Sequence, residues 1–585
     1  MATPTLILGA NNWAIEEDNI LGYALGSSSN QYLPREISFT RGSDATYTDS
    51  TGVIRQACWN LLQYSEDLTN GVWGKQNTTI TANSTNAPDS ALTADQMFDD
   101  TSLNWHRIIY TTSVISGNAY TYSIYLKANT ETAVQLNTYN IYASNSFNYA
   151  NFDLQNGVVG TYANCTPSIT NIGNGWYRCS ITQTSVVSGT SYLYITTTNN
   201  NPLSSDRPTY AGAGNSFYIW GAQLVQGSNP LPYLRTTDRL NLPRVDSSTG
   251  TKAFLVEPQR TNLITQSQNF ADVSWSKLGL GAGSAPVVTA NAGTSPEGMN
   301  NATRVQFNCG GTTSSDRSIL QKASVPITNT TNYAATIYVK AYSSGEVGKQ
   351  LRFISEGAVN QIIITLTDSW QKVTTTGVSN TTSSNFIIET RGTFTTNTTA
   401  DILVWGAQIE TGAYPTTYIP TTSATATRVA DSAVKTGISS LIGQTEGTVY
   451  LQANLQKYSE TGFVVAIGDG SLANSIYLQR TSTNGLDLYC RKSGNTDVII
   501  SVLSANWTAG NNKIAIAYGA TSFEMYINGV SQGSASFVGL PSMSQYTLGS
   551  RPDNLGTLVA TGHYAQMALF TTRLSASNLA TLTTL

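Results

Sequence analysis

WGAQLVQGSNPLPYLRTT (Trp220 to Thr237) and WGAQIETGAYPTTYIPTT (Trp405 to Thr422) are two versions of one segment in a chain of 585 residues. Three earlier blocks keep the same order. NLLQYSEDLTNGVWGK from Asn60 answers NLITQSQNFADVSWSK from Asn262, YSIYLKA (Tyr122 to Ala128) answers ATIYVKA (Ala335 to Ala341), and GWYRCSI around Trp176 answers SWQKVTT around Trp370. The offset runs 202, 213, 194 and 185 residues over the four blocks, so insertions lie between blocks and not inside them. Kept strands and variable loops leave that signature. IYLKA and IYVKA alternate on a period of two and are rich in β-branched and aromatic residues, as half-buried strands require. A repeat of this length made of short strands is too large for a solenoid rung and suits a two-sheet jelly roll.

Composition agrees. Only 11% of residues are charged, and 48 Gly, 31 Tyr and many Thr, Ser and Asn supply turns and strands. A formal charge of −4 gives no basic field for nucleic acid. No apolar run reaches the length of a membrane span, and the opening MATPTLILGANNWAIEEDN lacks the pattern of a secretory signal, so no membrane insertion and no leader are expected. Five scattered cysteines (Cys58, Cys165, Cys179, Cys309, Cys490) form no C-x-x-C pair and predict neither a disulfide framework nor a zinc site.

After residue 427 the repeat stops. KIAIAYGATSFEMYINGV (Lys513 to Val530) reads as two strands joined by a tight Asn528-Gly529 turn, and Ser575 caps a short closing helix. The expected organisation is all-β: tandem antiparallel sandwiches after a short N-terminal arm. The arm is 1–58, for attachment or oligomerisation. The first jelly-roll repeat is 59–240, a linker and the second repeat 241–427, and a further sandwich 428–585.

FTRGSDATYTDSTGVIR (Phe39 to Arg55) and LPRVDSSTGTKAFLVEPQRTNLITQSQNF (Leu242 to Phe270), with the W-x-K and closing WGAQIE that follow, resemble bacteriophage virion fibre and tail appendage proteins. In those proteins an arm precedes carbohydrate-binding-module-like jelly rolls. MYINGV, YTLGSR (Tyr546 to Arg551) and the terminal LSASNL resemble concanavalin A-like or laminin G-like lectin sandwiches. The resemblance implies a virion-surface protein on tail, collar or head that meets other virion proteins through its arm and a host-cell glycan through its sandwiches. It also implies a homo-oligomer, with a homotrimer as the expected count, although no heptads mark one. The alternatives are a virion decoration or spacer that binds nothing, and a polysaccharide depolymerase.

A depolymerase needs two carboxylates at a set separation. No E-x-D-x-E string, G-x-S-x-G, H-E-x-x-H or P-loop occurs, so no enzyme is expected. Glycan binding needs aromatic faces and amides. The stretch NTYNIYASNSFNYANFD (Asn137 to Asp153) offers Tyr139, Tyr142, Phe147 and Tyr149 with Asn140 and Asn148, in a region 19 residues longer than its counterpart in the second repeat. The same rings would equally pack a small core of the insertion's own. Arg480 and Arg491 of the last module are candidates for anionic glycans. No cofactor is expected; a structural calcium ion could sit at Asp469 or Asp553, whose ordinary role is to close turns. The repeated tryptophans read as scaffold.

Overall fold

The computed structural model describes residues 6–9, 38–41, 43, 45–57, 60–226, 230, 233, 235–236 and 244–585, apart from 115, 118, 142–146, 394–396, 494, 538 and 554–557. The chain divides into two compact units, Cys58–Leu240 and a second made of Met1–Ala57 with Asn241–Leu585. Both are built of antiparallel sheets; the described helix is the short Ala576–Thr583, capped by Ser575.

In Cys58–Leu240 two six-stranded sheets face each other. One runs Thr166–Gly173, Trp176–Thr184, Ala119–Ala128, Ser216–Gln226, Ala94–Asp99, Thr78–Thr85. The other runs Val158–Ala163, Phe147–Asp153, Ala133–Tyr139, Gly189–Thr197, Arg107–Val114, Trp73–Gln76. Between them lies one apolar core that includes Leu62, Trp73, Ile124, Leu136, Phe152, Ile195 and Ile219.

The second repeat builds the same sandwich from two five-stranded sheets. Each lacks one edge strand, the counterparts of Val158–Ala163 and Thr166–Gly173. The extra length of the first repeat is therefore spent on an edge strand for each sheet. The aromatic stretch expected to be the insertion is instead the hairpin Ala133–Tyr139 with Phe147–Asp153, whose counterpart in the second repeat is Gln350–Glu356 with Ile362–Thr365.

The repeated blocks are scaffold, and their chemistry explains their persistence. In each WGAQ the glycine has a positive φ, 64° at Gly221 and 66° at Gly406, at a register shift against the neighbouring strand. A Cβ there would stand 3.0 Å from the Tyr125 ring or 3.1 Å from the Tyr338 ring, so glycine is required on two counts. The bulge lets Trp220 pack against Tyr125 and Tyr233, and Trp405 against Tyr338 and Tyr418, at matching distances of 5.3 and 4.5 Å. Asn60 donates to the Ala222 carbonyl and accepts from Leu62, while Asn262 donates to Ala407 and accepts from Ile264. Trp73 and Trp275 donate their indole N–H to the carbonyls of Tyr64 and Gln266.

The C-terminal sandwich has an eight-stranded and a seven-stranded sheet. Two described strands of the expected arm are woven into it, Leu6–Gly9 pairing with Gly562–Phe570 and Ser38–Thr40 with Ser432–Thr436, whereas Thr46–Thr48 and Ile54–Gln56 pair with each other as a separate hairpin whose Ile54 packs with Trp405 and Tyr418 of the second repeat. The hairpin Arg244–Asp246 with Ala253–Val256, expected to be linker, extends the eight-stranded sheet through the same strand Gly562–Phe570. Segments too short to close a sandwich satisfy their backbone groups by adding to sheet edges. A buried ion network joins these pieces. Arg244 meets Glu257 at 2.5 Å and also Asp431, Asp431 meets Arg41 at 3.0 Å, and Arg428 meets Glu257 at 2.9 Å. Burial pushes the Arg41 guanidinium down to about 10, while the arginines hold Glu257 well below the usual carboxylate range against the cost of its own burial.

Candidate functional site

Along Ala133–Tyr139 the residues Val134, Leu136 and Thr138 point into the core, so Gln135, Asn137 and Tyr139 share the outer face of the sheet. The register carries that parity to the neighbouring strands. Phe147 lies opposite Tyr139, Tyr149 opposite Asn137 and Asn151 opposite Gln135; on the other side Tyr192, Tyr194 and Thr196 lie opposite Tyr139, Asn137 and Gln135. The outer face thus has an aromatic half and an amide half.

In the aromatic half, the rings of Tyr139 and Phe147 are 4.4 Å apart, and Tyr192 lies 6.0 Å from Tyr139 and 6.4 Å from Tyr194. Tyr139, Phe147, Tyr149 and Tyr192 are half-buried, whereas Tyr194 is buried. Each close pair contributes roughly 0.5–1.5 kcal/mol beyond area burial, which holds the rings as a preformed platform.

The amide half is covered by the chain around 198–207. Asn151 donates to the Ser204 carbonyl at 2.6 Å and Gln135 to Ser205 at 2.9 Å; Asn137 donates to the Asp206 carboxylate at 2.9 Å. These bonds carry Arg207 over the Phe147 ring, its guanidinium carbon 3.4 Å from the centroid and its Nε 2.9 Å from Asp206. Arg107 lies 4.5 Å from both the Tyr194 and Trp105 rings and donates to Gln76; burial pushes its pKa down. The result is an open aromatic row bordered by two arginines and an aspartate. Such a surface can stack on the apolar face of a sugar ring and hydrogen-bond its hydroxyls.

The structure brings Tyr139, Phe147 and Tyr149 together, and Tyr142 lies outside the described residues. Asn140 sits at the hairpin end with a φ of 63°, its side chain toward the Thr190 carbonyl. Asn148 is a correction: one residue out of step with Phe147 and Tyr149, it points into the core, fully buried and donating to Thr138 at 3.1 Å. Tyr192, Tyr194, Trp105, Arg107, Asp206 and Arg207 were not singled out from sequence. YLYITT (Tyr192 to Thr197) held the signal for two of them, since its tyrosines share a face opposite Leu193 and Ile195.

Arg480 is a second correction. It is buried, donates to the carbonyls of Glu460 and Gln456, and packs beside Tyr414 and Tyr458. Arg491 is half-buried on the outer face of the seven-stranded sheet, 5.8 Å from the ring of Tyr477, which stacks on Tyr489 at 4.8 Å. Asp469 closes its own turn by accepting from Ser471 and Asn474, and Asp553 pairs with Arg551 at 2.8 Å. Both carboxylates are thus engaged in local structure. Among the described residues no group of three or more His, Cys, Asp or Glu is placed to hold a metal ion.

One cavity of about 340 Å³ in Cys58–Leu240 is lined by Tyr64, Glu66, Asp67, Asn83, Asp95 and Arg235. Burial pushes Asp95 up to about 6, but its oxygens already accept the N–H groups of Leu68 and Asn83. Glu66 is held by Arg235 at 3.2 Å and by the Tyr233 hydroxyl. These acids are tied to scaffold groups.

No family model and no curated protein matches the chain. Among solved structures, the CBM40 module of the Ruminococcus gnavus IT-sialidase, bound to alpha2,3 sialyllactose, is 14% identical; the match covers 24% of this chain and 84% of that one, with a TM-score of 0.22. The NanB sialidase of Streptococcus pneumoniae is 16% identical over 25% of each chain, with a TM-score of 0.23. The receptor-binding domain of botulinum neurotoxin mosaic serotype C/D is 10% identical over 26% of this chain and 39% of that one, with a TM-score of 0.21.

Proposed function

We propose that the chain is a structural appendage of a bacteriophage virion whose first jelly roll binds a host-surface glycan through the outer face that carries Tyr139, Phe147, Tyr149 and Tyr192. The observation that carries the reading is that row of half-exposed rings, held in register by hydrogen-bonded strands and bordered by the Arg107 and Arg207 guanidiniums. The virion placement is supported by the sequence resemblance of residues 39 to about 425. In this reading the N-terminal segment meets other virion proteins and the protein acts as a homo-oligomer, with a homotrimer as the count for light scattering to check. Multivalency would raise the avidity of a weak single site.

The test is saturable adsorption of the purified protein to host cells, with competition against phage, repeated for the double variant Tyr139→Ala/Tyr192→Ala. Lost adsorption at an unchanged melting temperature supports the site; unchanged adsorption sinks it. A second reading, an architectural spacer, is favoured by one observation: the N-terminal strands Leu6–Gly9 and Ser38–Thr40 are taken up as strands of the C-terminal sandwich. A spacer predicts no saturable adsorption at all. Zymography on host polysaccharide, with Asp95→Asn as the control, addresses a depolymerase.

A further inference from the structure

The cavity of about 340 Å³ in Cys58–Leu240 is lined by charges that the jelly-roll skeleton does not need. The second repeat builds the same corner without them. Its sequence sets Gln268 where the first has Glu66, Asn269 for Asp67 and Pro420 for Arg235, while Ser65, Tyr233 and Thr236 recur as Ser267, Tyr418 and Thr421. Thr303 takes the place of Asp95, lying opposite Val404 as Asp95 lies opposite Ile219. The structural duties survive the exchange: the Tyr233 hydroxyl donates to Glu66, and the Tyr418 hydroxyl meets the neutral Gln268 side chain instead. Holding the fold accounts for the tyrosines, serines and threonines, and leaves the carboxylates to be explained.

The cavity's volume lies at the lower end of small-molecule pockets, which run from about 300 to 1,000 Å³, and suits one sugar ring rather than a chain. Asp95 is fully buried, whereas Asp67 and Asn83 are exposed and Tyr64 is half-buried, so a carboxylate floor leads to a polar rim with an aromatic ring beside it. Asp95 accepts the N–H groups of Leu68 and Asn83, and Asp67 accepts the Thr69 hydroxyl at 2.5 Å; none of these partners is a cation. A carboxylate offers about four acceptor sites, so both keep capacity for a further donor. Among the described residues, Glu66, Asp67, Asp95 and Asp89, which the charge of Arg235 reaches, stand against two cations, Arg235 and Lys75. Lys75 is itself tied to the Thr69 and Asn70 carbonyls, as Lys277 is to Ala271 and Asp272 in the second repeat. The cavity is thus net negative and rich in acceptors, and burial already pushes Asp95 up to about 6. Such a recess matches a ring that brings hydrogen-bond donors and a positive charge together.

We propose that this cavity is a second recognition site, which takes one pyranose residue bearing a free ammonium group, the amino sugar of a cationic glycan. The site is separate from the aromatic platform and stands whether or not that platform binds sugar. Asp95 and Asp67 accept from the ammonium and a neighbouring hydroxyl, Asn83 donates to a hydroxyl oxygen at the rim, and the Tyr64 ring meets the apolar face of the sugar.

Ligand-observed NMR titration of the full chain with the methyl glycosides of glucosamine, galactosamine and mannosamine, their N-acetyl counterparts, methyl glucuronide and butylamine tests this. At least one amino glycoside is expected to bind, with affinity falling as salt rises, and its N-acetyl counterpart and the glucuronide to bind about ten-fold more weakly or less. Asp67→Asn should cost about ten-fold with unchanged melting, because Asp67 is exposed. The triple variant Glu66→Gln/Asp67→Asn/Asp95→Thr carries the residues of the second repeat and should abolish binding; where it fails to fold, Asp67→Asn decides. Failure of every amino glycoside to bind, N-acetylated forms binding as tightly, butylamine binding as tightly as the best amino glycoside, or equal binding by Asp67→Asn would each overturn the proposal. So would a loss in Tyr139→Ala/Tyr192→Ala without one in Asp67→Asn, which would place the sugar on the platform.

Discussion

The two jelly rolls share one skeleton and spend the same face in opposite ways. Where the first repeat sets Tyr194, Thr196, Asn137 and Gln135, the matching rungs of the second hold Ile387, Glu389, Ile354 and Arg352. The residues that fix the backbone, the WGAQ bulge, the indoles and the Asn60 and Asn262 amides, are kept, because each satisfies a buried group or fills a space no other side chain fits. The face residues bond one another and the segment around 198–207 that covers them, not the kept skeleton, so they can differ between the repeats. Divergence confined to an outer face, on a preserved core, is what a change of ligand or of partner would produce, and it separates the skeleton's residues from those worth testing for function.

The largest effect that would sharpen this division is on the skeleton. Trp220→Ala and Trp405→Ala each remove a buried indole that packs on two tyrosines, and each should cost about 3–5 kcal/mol in the repeat that carries it. Scanning calorimetry would read this as the early melting of one transition; a loss below about 1 kcal/mol would mean that the indoles are not structural. Arg244→Ala should be comparably severe in the second unit, because Glu257 and Asp431 would be left buried without their shared cation, at about 3–5 kcal/mol.

The next effect is on function and breaks the symmetry. Tyr139→Ala/Tyr192→Ala should abolish detectable glycan retention in affinity electrophoresis, while the rung-matched pair Glu356→Ala/Asn385→Ala should leave it unchanged. Equal losses from both pairs would mean that the aromatic face is not special.

The sequence made the skeleton legible and the face only in part. Repeated blocks are local strings and period-two alternation marks them as strands, so the length of a repeat unit made of such short strands was enough to expect two sheets per repeat. Parity also held a warning that was missed: Asn148 lies between two outward rings and so had to face inward. The rest was not legible because it is assembled from distant segments. Arg207 reaches Phe147 across 60 residues of chain through hydrogen bonds from Gln135, Asn137 and Asn151, and no local pattern announces such a covering loop. Arg480 looked like a surface cation because its partners are backbone carbonyls, which leave no trace in composition.

A subtler contrast concerns the connection that leads into the outer sheet of each repeat. In the first, Glu131 accepts the Asn200 N–H at 2.7 Å but its second oxygen is buried without a partner, and burial pushes its pKa up to about 7. In the second, Glu346 is paired with Lys349 at 2.8 Å and accepts the Asp401 N–H. A raised carboxyl pKa means that the folded state binds a proton more tightly than the unfolded chain, whose glutamate titrates near 4.3. Stability of the first unit should then fall as pH rises from about 4 to about 7 and level off above that. Asp95, pushed up to about 6, acts in the same direction over a narrower window. Glu131→Gln should raise melting of Cys58–Leu240 at pH 8 and flatten most of this slope. An unchanged slope in the variant would show that Glu131 is ionised throughout.

The smallest effect tests the other side of that contrast. The Glu346–Lys349 pair is partly open to water, with 17% and 26% of the side chains exposed, so solvent can replace much of what the ammonium provides. Lys349→Ala should cost about 0.2–1 kcal/mol, read as a small drop in the urea midpoint of the unit holding the second repeat, and less at high salt. A loss above about 2 kcal/mol would place the pair among the buried networks, where removing one charge strands the other. In that event the difference between the two connections would come down to one side chain, Lys349.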